Sequence, residues 1–151
     1  MNFISYLKKD LICLFNGIDK KKEAINKLID MTAQKEKIDD VKGLRASLFY
    51  REKLMSTGIG LGIAIPHVRF KGVKEPVIAI GIQPRGINDY KSLDDKVIKI
   101  VILIIVGQNH HKEHIKILAQ IVSKLKEDNN IDRLSHAESP DDIFNILTRK
   151  K

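Results

Sequence analysis

A chain of 151 residues is long enough for one domain with one sizeable core, and its 43% hydrophobic and 30% charged residues have the balance of a soluble globular protein. No stretch approaches the ~20 apolar residues of a membrane span, the start MNFISYLKKD lacks a secretory-signal pattern, and the only cysteine, Cys13, leaves no internal disulfide, so the expected setting is cytoplasmic without membrane insertion. The net charge of +8 is scattered from Lys8-Lys9 to Arg149–Lys151 without interleaved aromatics or any tryptophan, which argues against nucleic acid as the partner.

Residues 10–16, DLICLFN, read as a short strand closed by Asn16-Gly17. Asp19 is the expected N-cap of an amphipathic helix over 20–35, with Ala24, Ile25, Leu28, Ile29 and Thr32 turned inward. Asp39 or Asp40 can cap a second helix, with Val41, Leu44 and Leu48 on its inner face and an end near Lys53-Leu54. Strands are expected over 61–65 and 76–82. The run VIKIVILIIV over 97–106 is almost wholly apolar and fits a central strand covered on both faces. Gly107-Gln108-Asn109 breaks it. A helix over about 112–126 then follows, with Ile115, Leu118, Ile121, Val122 and Leu125 as its apolar stripe and His114 in its first turn. Ser139-Pro140-Asp141-Asp142 marks the last helix, with Ser at the N-cap, Pro at N1 and an acid at N3. Helices and strands alternate around one central strand. The prediction is an α/β fold, a mixed β-sheet flanked by helices on both faces, in a single domain over 1–151.

The stretch STGIGLGIAIPHVRF, 56–70, sets three glycines and a proline before one histidine, His67. Its glycines precede a strand, where the dinucleotide fingerprint opens a helix, and the chain has no phosphate-binding loop and no G-x-S-x-G. Glycine allows close approach to the backbone and proline fixes a dihedral, which together hold His67 rigidly at a strand end with open space around it. An imidazole is a good nucleophile when one nitrogen is free and the other is held by a hydrogen bond. A loop histidine after a buried strand is the other reading, and the residues alone leave both open. HHKEH, 110–114, matches an inverted zinc-hydrolase pattern, with His110 and His114 as ligands and Glu113 as base. Against it, the glycine upstream puts His110 in a loop or at the helix start, and no third ligand follows. His136 reads as a surface residue.

The run Arg51-Glu52-Lys53-Leu54-Met55-Ser56-Thr57-Gly58-Ile59-Gly60, followed by Gly62-Ile63-Ala64-Ile65-Pro66-His67, resembles the phosphorylation-site motif of enzyme IIA domains. The family is the fructose/mannitol type of the phosphoenolpyruvate-dependent phosphotransferase system, including its nitrogen-regulatory branch. The likeness extends to Lys22–Leu28 and His114–Leu125, and so to nearly the whole chain. It implies that His67 accepts a phosphoryl group from a phosphohistidine carrier protein such as HPr. The group then passes to a downstream enzyme IIB, or serves as a signal read by a regulated target protein. By the same resemblance His114 is the supporting histidine and Arg51 the phosphate-stabilising arginine, able to offer a bidentate fork. Ser56, Thr57 and Arg69 are further candidate phosphate contacts. Transfer between two imidazoles needs no nucleotide and no metal, so no cofactor is expected. Two residues depart from the family pattern. Val68 stands where glycine is common and can narrow the approach to His67, and the 107–111 loop lacks a proline. The reading favours a regulator. A separate sugar-transport enzyme IIA, a binding module without phosphotransfer and, last, a zinc hydrolase using HHKEH are the alternatives.

Overall fold

The computed structural model describes residues 2–149. A six-stranded mixed sheet contains β1 (Ile12–Leu14), β2 (Gly58–Gly60), β3 (Ile63–Ala64), β4 (His67–Phe70), β5 (Val77–Ile87) and β6 (Ile98–Gly107), in the order β1-β5-β6-β3-β2, with β4 also pairing with β6. β6 is the central strand, and every residue in it except Lys99 is buried. Ile100, Ile102, Ile104 and Val106 face α3 (His111–Leu125), α4 (Asn130–Ser135) and α5 (Pro140–Thr148). Val101, Leu103 and Ile105 face α1 (Lys21–Lys35) and α2 (Val41–Leu54). Each such side chain contributes about 1.5–3 kcal/mol on burial, so the strand without a polar face organises both halves of the core. Helices lie on both faces of a mixed sheet, as the pattern predicts.

β3 and β4 run along the same edge of β6 in one unbroken register. Ile63 pairs with Ile100, Ala64 with Val101 and His67 with Ile104, all parallel. Pro66 falls in the gap between them. It has no N–H to offer, but its carbonyl still accepts from the Ile104 N–H at 3.0 Å. Strand alternation therefore continues through the proline. Ile63 and Ile65 pack on the α3 side, while Ala64 and Val68 pack on the α1–α2 side. The same alternation turns His67 and Arg69 toward α3. His67 thus opens a strand, where the sequence places it after one.

The expected strand over 61–65 is cut down to Ile63–Ala64. Gly60, Leu61 and Gly62 have φ of 99°, 60° and 79°, a left-handed turn that folds β2 back antiparallel to β3. β1 is shorter than 10–16 because Lys9–Leu11 form a 3₁₀ turn. Lys20, not Asp19, stands at the N-cap of α1. The cap comes instead from a distant loop, where Asp89 Oδ1 accepts from the Lys21 N–H at 2.7 Å. The two other caps follow the sequence. Asp40 accepts from the Gly43 N–H at 2.9 Å, and Ser139 from the Asp142 N–H at 3.1 Å. On α3 the buried stripe is Ile117, Ile121 and Leu125, and Ile115 is 54% exposed. The stripe is rotated from the expected one because Ile115 and the half-buried Leu118 border a cavity.

Gly58 is held against residues 91–92, and a β-carbon there would lie 2.1 Å from the Lys91 carbonyl oxygen and 2.9 Å from Ser92 Cα. Main chain cannot yield as a side chain can. Gly58→Ala is expected to cost about 1–3 kcal/mol, read as a lower urea midpoint. An unchanged midpoint would show that the 57–60 segment is free to move off the 91–92 loop.

Candidate functional site

The His67 ring is fixed by its own strand. Nδ1 lies 2.7 Å from the carbonyl oxygen of Ile65, two residues back on the same face. A carbonyl can only accept, so Nδ1 carries the proton and Nε2 keeps a free lone pair. From the first turn of α3, the His114 ring meets His67 edge-on, with centroids 4.8 Å apart and planes at 81°. A cavity of about 650 Å³ opens over this pair, and Arg51, Arg69, Gln108 and His111 complete its polar lining. Arg51 stands in the last turn of α2, where its Nη1 donates to the Met55 carbonyl at 3.2 Å. Arg69 follows His67 by two residues on the same face of β4. The N-terminus of α3 also borders the cavity through His111 and His114, and its unpaired amides favour negative charge nearby.

Both histidines are held neutral. Burial lowers the His67 pKa below the ordinary 6.5, and the Arg51 charge adds to this against the Ile65 carbonyl and the Glu52 carboxylate. Burial also pushes His114 down, to about 4, with further contributions from His67, Arg69, His111 and Arg51. The site therefore combines an uncharged ring that has a bare nitrogen with two guanidinium groups.

Arg51, His67, Arg69 and His114 are thus brought together. Ser56 and Thr57 are not in the cavity lining, contrary to the phosphate contact expected of them. The Ser56 hydroxyl donates to the Lys91 carbonyl at 2.7 Å. Thr57 is 4% exposed, and its hydroxyl bonds to Glu52 and Tyr90. No glycine borders the cavity either, so those before His67 serve the turn and the 91–92 contact. Val68 borders the cavity but packs into the core of the opposite face, which takes up its branched side chain. The HHKEH pattern does not form a ligand pair on one helical face. His110 stands at the N-cap, outside the helix, with its ring over Gly107. Among the described residues, no group of three His, Cys, Asp or Glu is placed to hold a metal ion.

Sequence reasoning missed Gln108 and His111 in the lining and the buried carboxylate of Glu52 beneath it. A signal for Glu52 existed: it continues the inward row Leu44, Leu48 at a spacing of four, where a charge needs a partner.

Residues 5–150 match the family model described as phosphoenolpyruvate-dependent sugar phosphotransferase system, EIIA 2. The chain belongs to this enzyme IIA family. It is 30% identical over 138 residues to the fructose-specific EIIA component of Haloferax volcanii, covering 91% of this chain and 89% of that protein. It is also 30% identical over 127 residues to a nitrogen regulatory protein of Pseudomonas aeruginosa, covering 84% and 82% of the two chains. The crystal structure of nitrogen regulatory protein IIA-Ntr from Neisseria meningitidis superposes with a TM-score of 0.85 at 26% identity, over 97% of this enzyme IIA chain and 99% of that one. No helix among the described residues of this enzyme IIA is long and apolar enough to cross a membrane.

The depressed histidine values have a thermodynamic sign. Below pH 6.5 the unfolded chain binds a proton at His114 that the folded chain refuses until about pH 4. Stability is therefore full above pH 6.5 and falls as the pH drops toward 4. The urea midpoint of the wild type is expected to decline across this window more steeply than that of His114→Gln. Ring-proton NMR is expected to find His114 titrating near pH 4 and His67 below 6.5. Parallel midpoint curves for the two proteins would remove His114 as the source.

Proposed function

We propose that this chain is a cytoplasmic phosphocarrier in which His67 accepts a phosphoryl group from a phosphohistidine carrier protein of the HPr kind. The observation that carries the reading is the Nδ1–Ile65 hydrogen bond, which leaves Nε2 bare beside Arg51 and Arg69. Nε2 attacks phosphorus as the bond from phosphorus to the donor imidazole breaks. The donor ring leaves neutral, with the proton already on its other nitrogen. The product on His67 is an Nε2-phosphorylated ring whose Nδ1–H still donates to Ile65, so no proton needs to enter or leave.

Phosphoryl transfer depends mostly on positioning and on charge placed around three equatorial oxygens. Arg51 and Arg69 supply that charge as planar forks, and the N-terminus of α3 adds to it. Neutral His114, edge-on to His67, buttresses the ring, and its one N–H can donate to a phosphoryl oxygen. The group then moves to an enzyme IIB or is read by a regulated target. A fructose-specific component and a nitrogen regulator stand at the same 30% identity to this chain, so the carrier chemistry is the part the two roles share.

Incubation with phosphoenolpyruvate, enzyme I and an HPr-like carrier is expected to add one acid-labile phosphoryl group, mapped by peptide mass to His67. His67→Ala is expected to remove uptake entirely. Arg51→Ala, which deletes one charged donor to the transferring group, is expected to slow it about 10²-fold. Labelling that survives in His67→Ala would move the acceptor elsewhere, with His114 the first position to test.

A further inference from the structure

Glu52 lies outside the cavity, yet its side chain is only 3% exposed and fully engaged. Lys21 Nζ from the start of α1 stands 2.9 Å from Oε2. The Thr57 N–H donates to the same oxygen at 3.2 Å, and the Thr57 hydroxyl makes a short bond to Oε1. The Tyr90 hydroxyl donates to Oε1 at 3.2 Å and lies 2.7 Å from Thr57 Oγ1, with Lys21 Nζ 4.6 Å above the Tyr90 ring. One carboxylate thus ties together the end of α2, the start of α1, the 57 turn and the 90 loop.

From Thr57 the connection continues to the reactive ring. The Thr57 carbonyl accepts from the Ile65 N–H at 3.0 Å, and the Ile65 carbonyl accepts from His67 Nδ1–H at 2.7 Å. The two groups sit on adjacent peptide planes joined at the Ile65 α-carbon, and a residue before proline is restricted to extended geometry, so holding the Ile65 N–H constrains where its carbonyl points. Pro66 then stiffens the next φ. In the other direction, Glu52 is the covalent neighbour of Arg51, so anchoring its side chain fixes the helical turn that carries the guanidinium.

We infer that Glu52 is a positioning residue: through Thr57 and Ile65 it sets the tautomer and orientation of His67, and through the last turn of α2 it sets Arg51. The inference rests on the reading of His67 as the nucleophile. A buried carboxylate with four partners costs desolvation that an apolar side chain at this helix position avoids. Its use here is geometric.

The test uses Glu52→Gln, Thr57→Val and Thr57→Ser in the whole chain. Nitrogen-15 shifts of the His67 ring report the tautomer in the unphosphorylated protein. In the wild type and Thr57→Ser the Nδ1–H form is expected to dominate. In Glu52→Gln and Thr57→Val it is expected to give way to a mixture with the Nε2–H form, and phosphorylation of His67 to slow about tenfold or more. A purely stabilising role would lower the unfolding midpoint of folded variants and leave the tautomer as in the wild type, which overturns the inference. Should Glu52→Gln fail to fold, Thr57→Val decides alone. If the wild type accepts no phosphoryl group, the functional reading fails, while the tautomer measurement still decides the role of Glu52.

Discussion

An imidazole attacks only through a nitrogen that carries no proton, and in this protein one hydrogen bond decides which nitrogen that is. His67 Nδ1 donates to the Ile65 carbonyl at 2.7 Å. The Pro66 carbonyl is the one taken by β6, through the Ile104 N–H, so the Ile65 carbonyl before it is left for the ring, and the register with β6 runs through Pro66 without a slip. The apolar strand β6 is therefore also the template for the site. A one-residue shift at the proline would turn His67 toward α1 and α2 and away from His114. Packing and chemistry rest on the same parallel edge.

The electrostatics around the ring divide into groups that titrate and groups that do not. Burial keeps both imidazoles neutral near pH 7, which leaves the His67 Nε2 lone pair free. Arg51 and Arg69 stay charged throughout, so the cavity remains positive without protonating His67. A histidine in their place would carry a charge that depends on pH. The net charge of +8 extends the same sign over the whole molecule and favours encounter with acidic or phosphorylated surfaces.

Much of this was legible in the residues. The uninterrupted apolar run of β6 announced a strand covered on both faces, and the Ser139-Pro140-Asp141-Asp142 cap marked α5 to the residue. The family resemblance in the motif around Pro66 pointed to His67 and, at the start of the later helix, to His114. What stayed hidden depends on contacts between distant segments. The cap of α1 comes from Asp89, which no local pattern around Asp19 can reveal. The three glycines looked like room for a partner at His67, whereas they make a left-handed hairpin and a contact with Lys91. Ser56 and Thr57, in the motif that carries the family resemblance, read as hydroxyl donors to the phosphoryl group. Their partners, Lys91, Glu52 and Tyr90, lie on segments that only the fold brings near.

Glu52 shows why a helix in this position keeps a charge on its inward row. Leu44 and Leu48 precede it at the same spacing, and a third leucine would continue the core at no desolvation cost. An apolar side chain, however, cannot accept from the Thr57 N–H, the Thr57 hydroxyl and the Tyr90 hydroxyl together. Those groups are buried, and although the two hydroxyls could still bond each other, the Thr57 N–H and one hydroxyl would be left without an acceptor at a cost of about 1–3 kcal/mol each. The turn that carries Thr57 would then relax to find water. The Ile65 carbonyl would follow it, and the proton on His67 would be free to choose either nitrogen. The carboxylate is thus tied to the His67 ring through geometry, although it does not line the cavity above that ring.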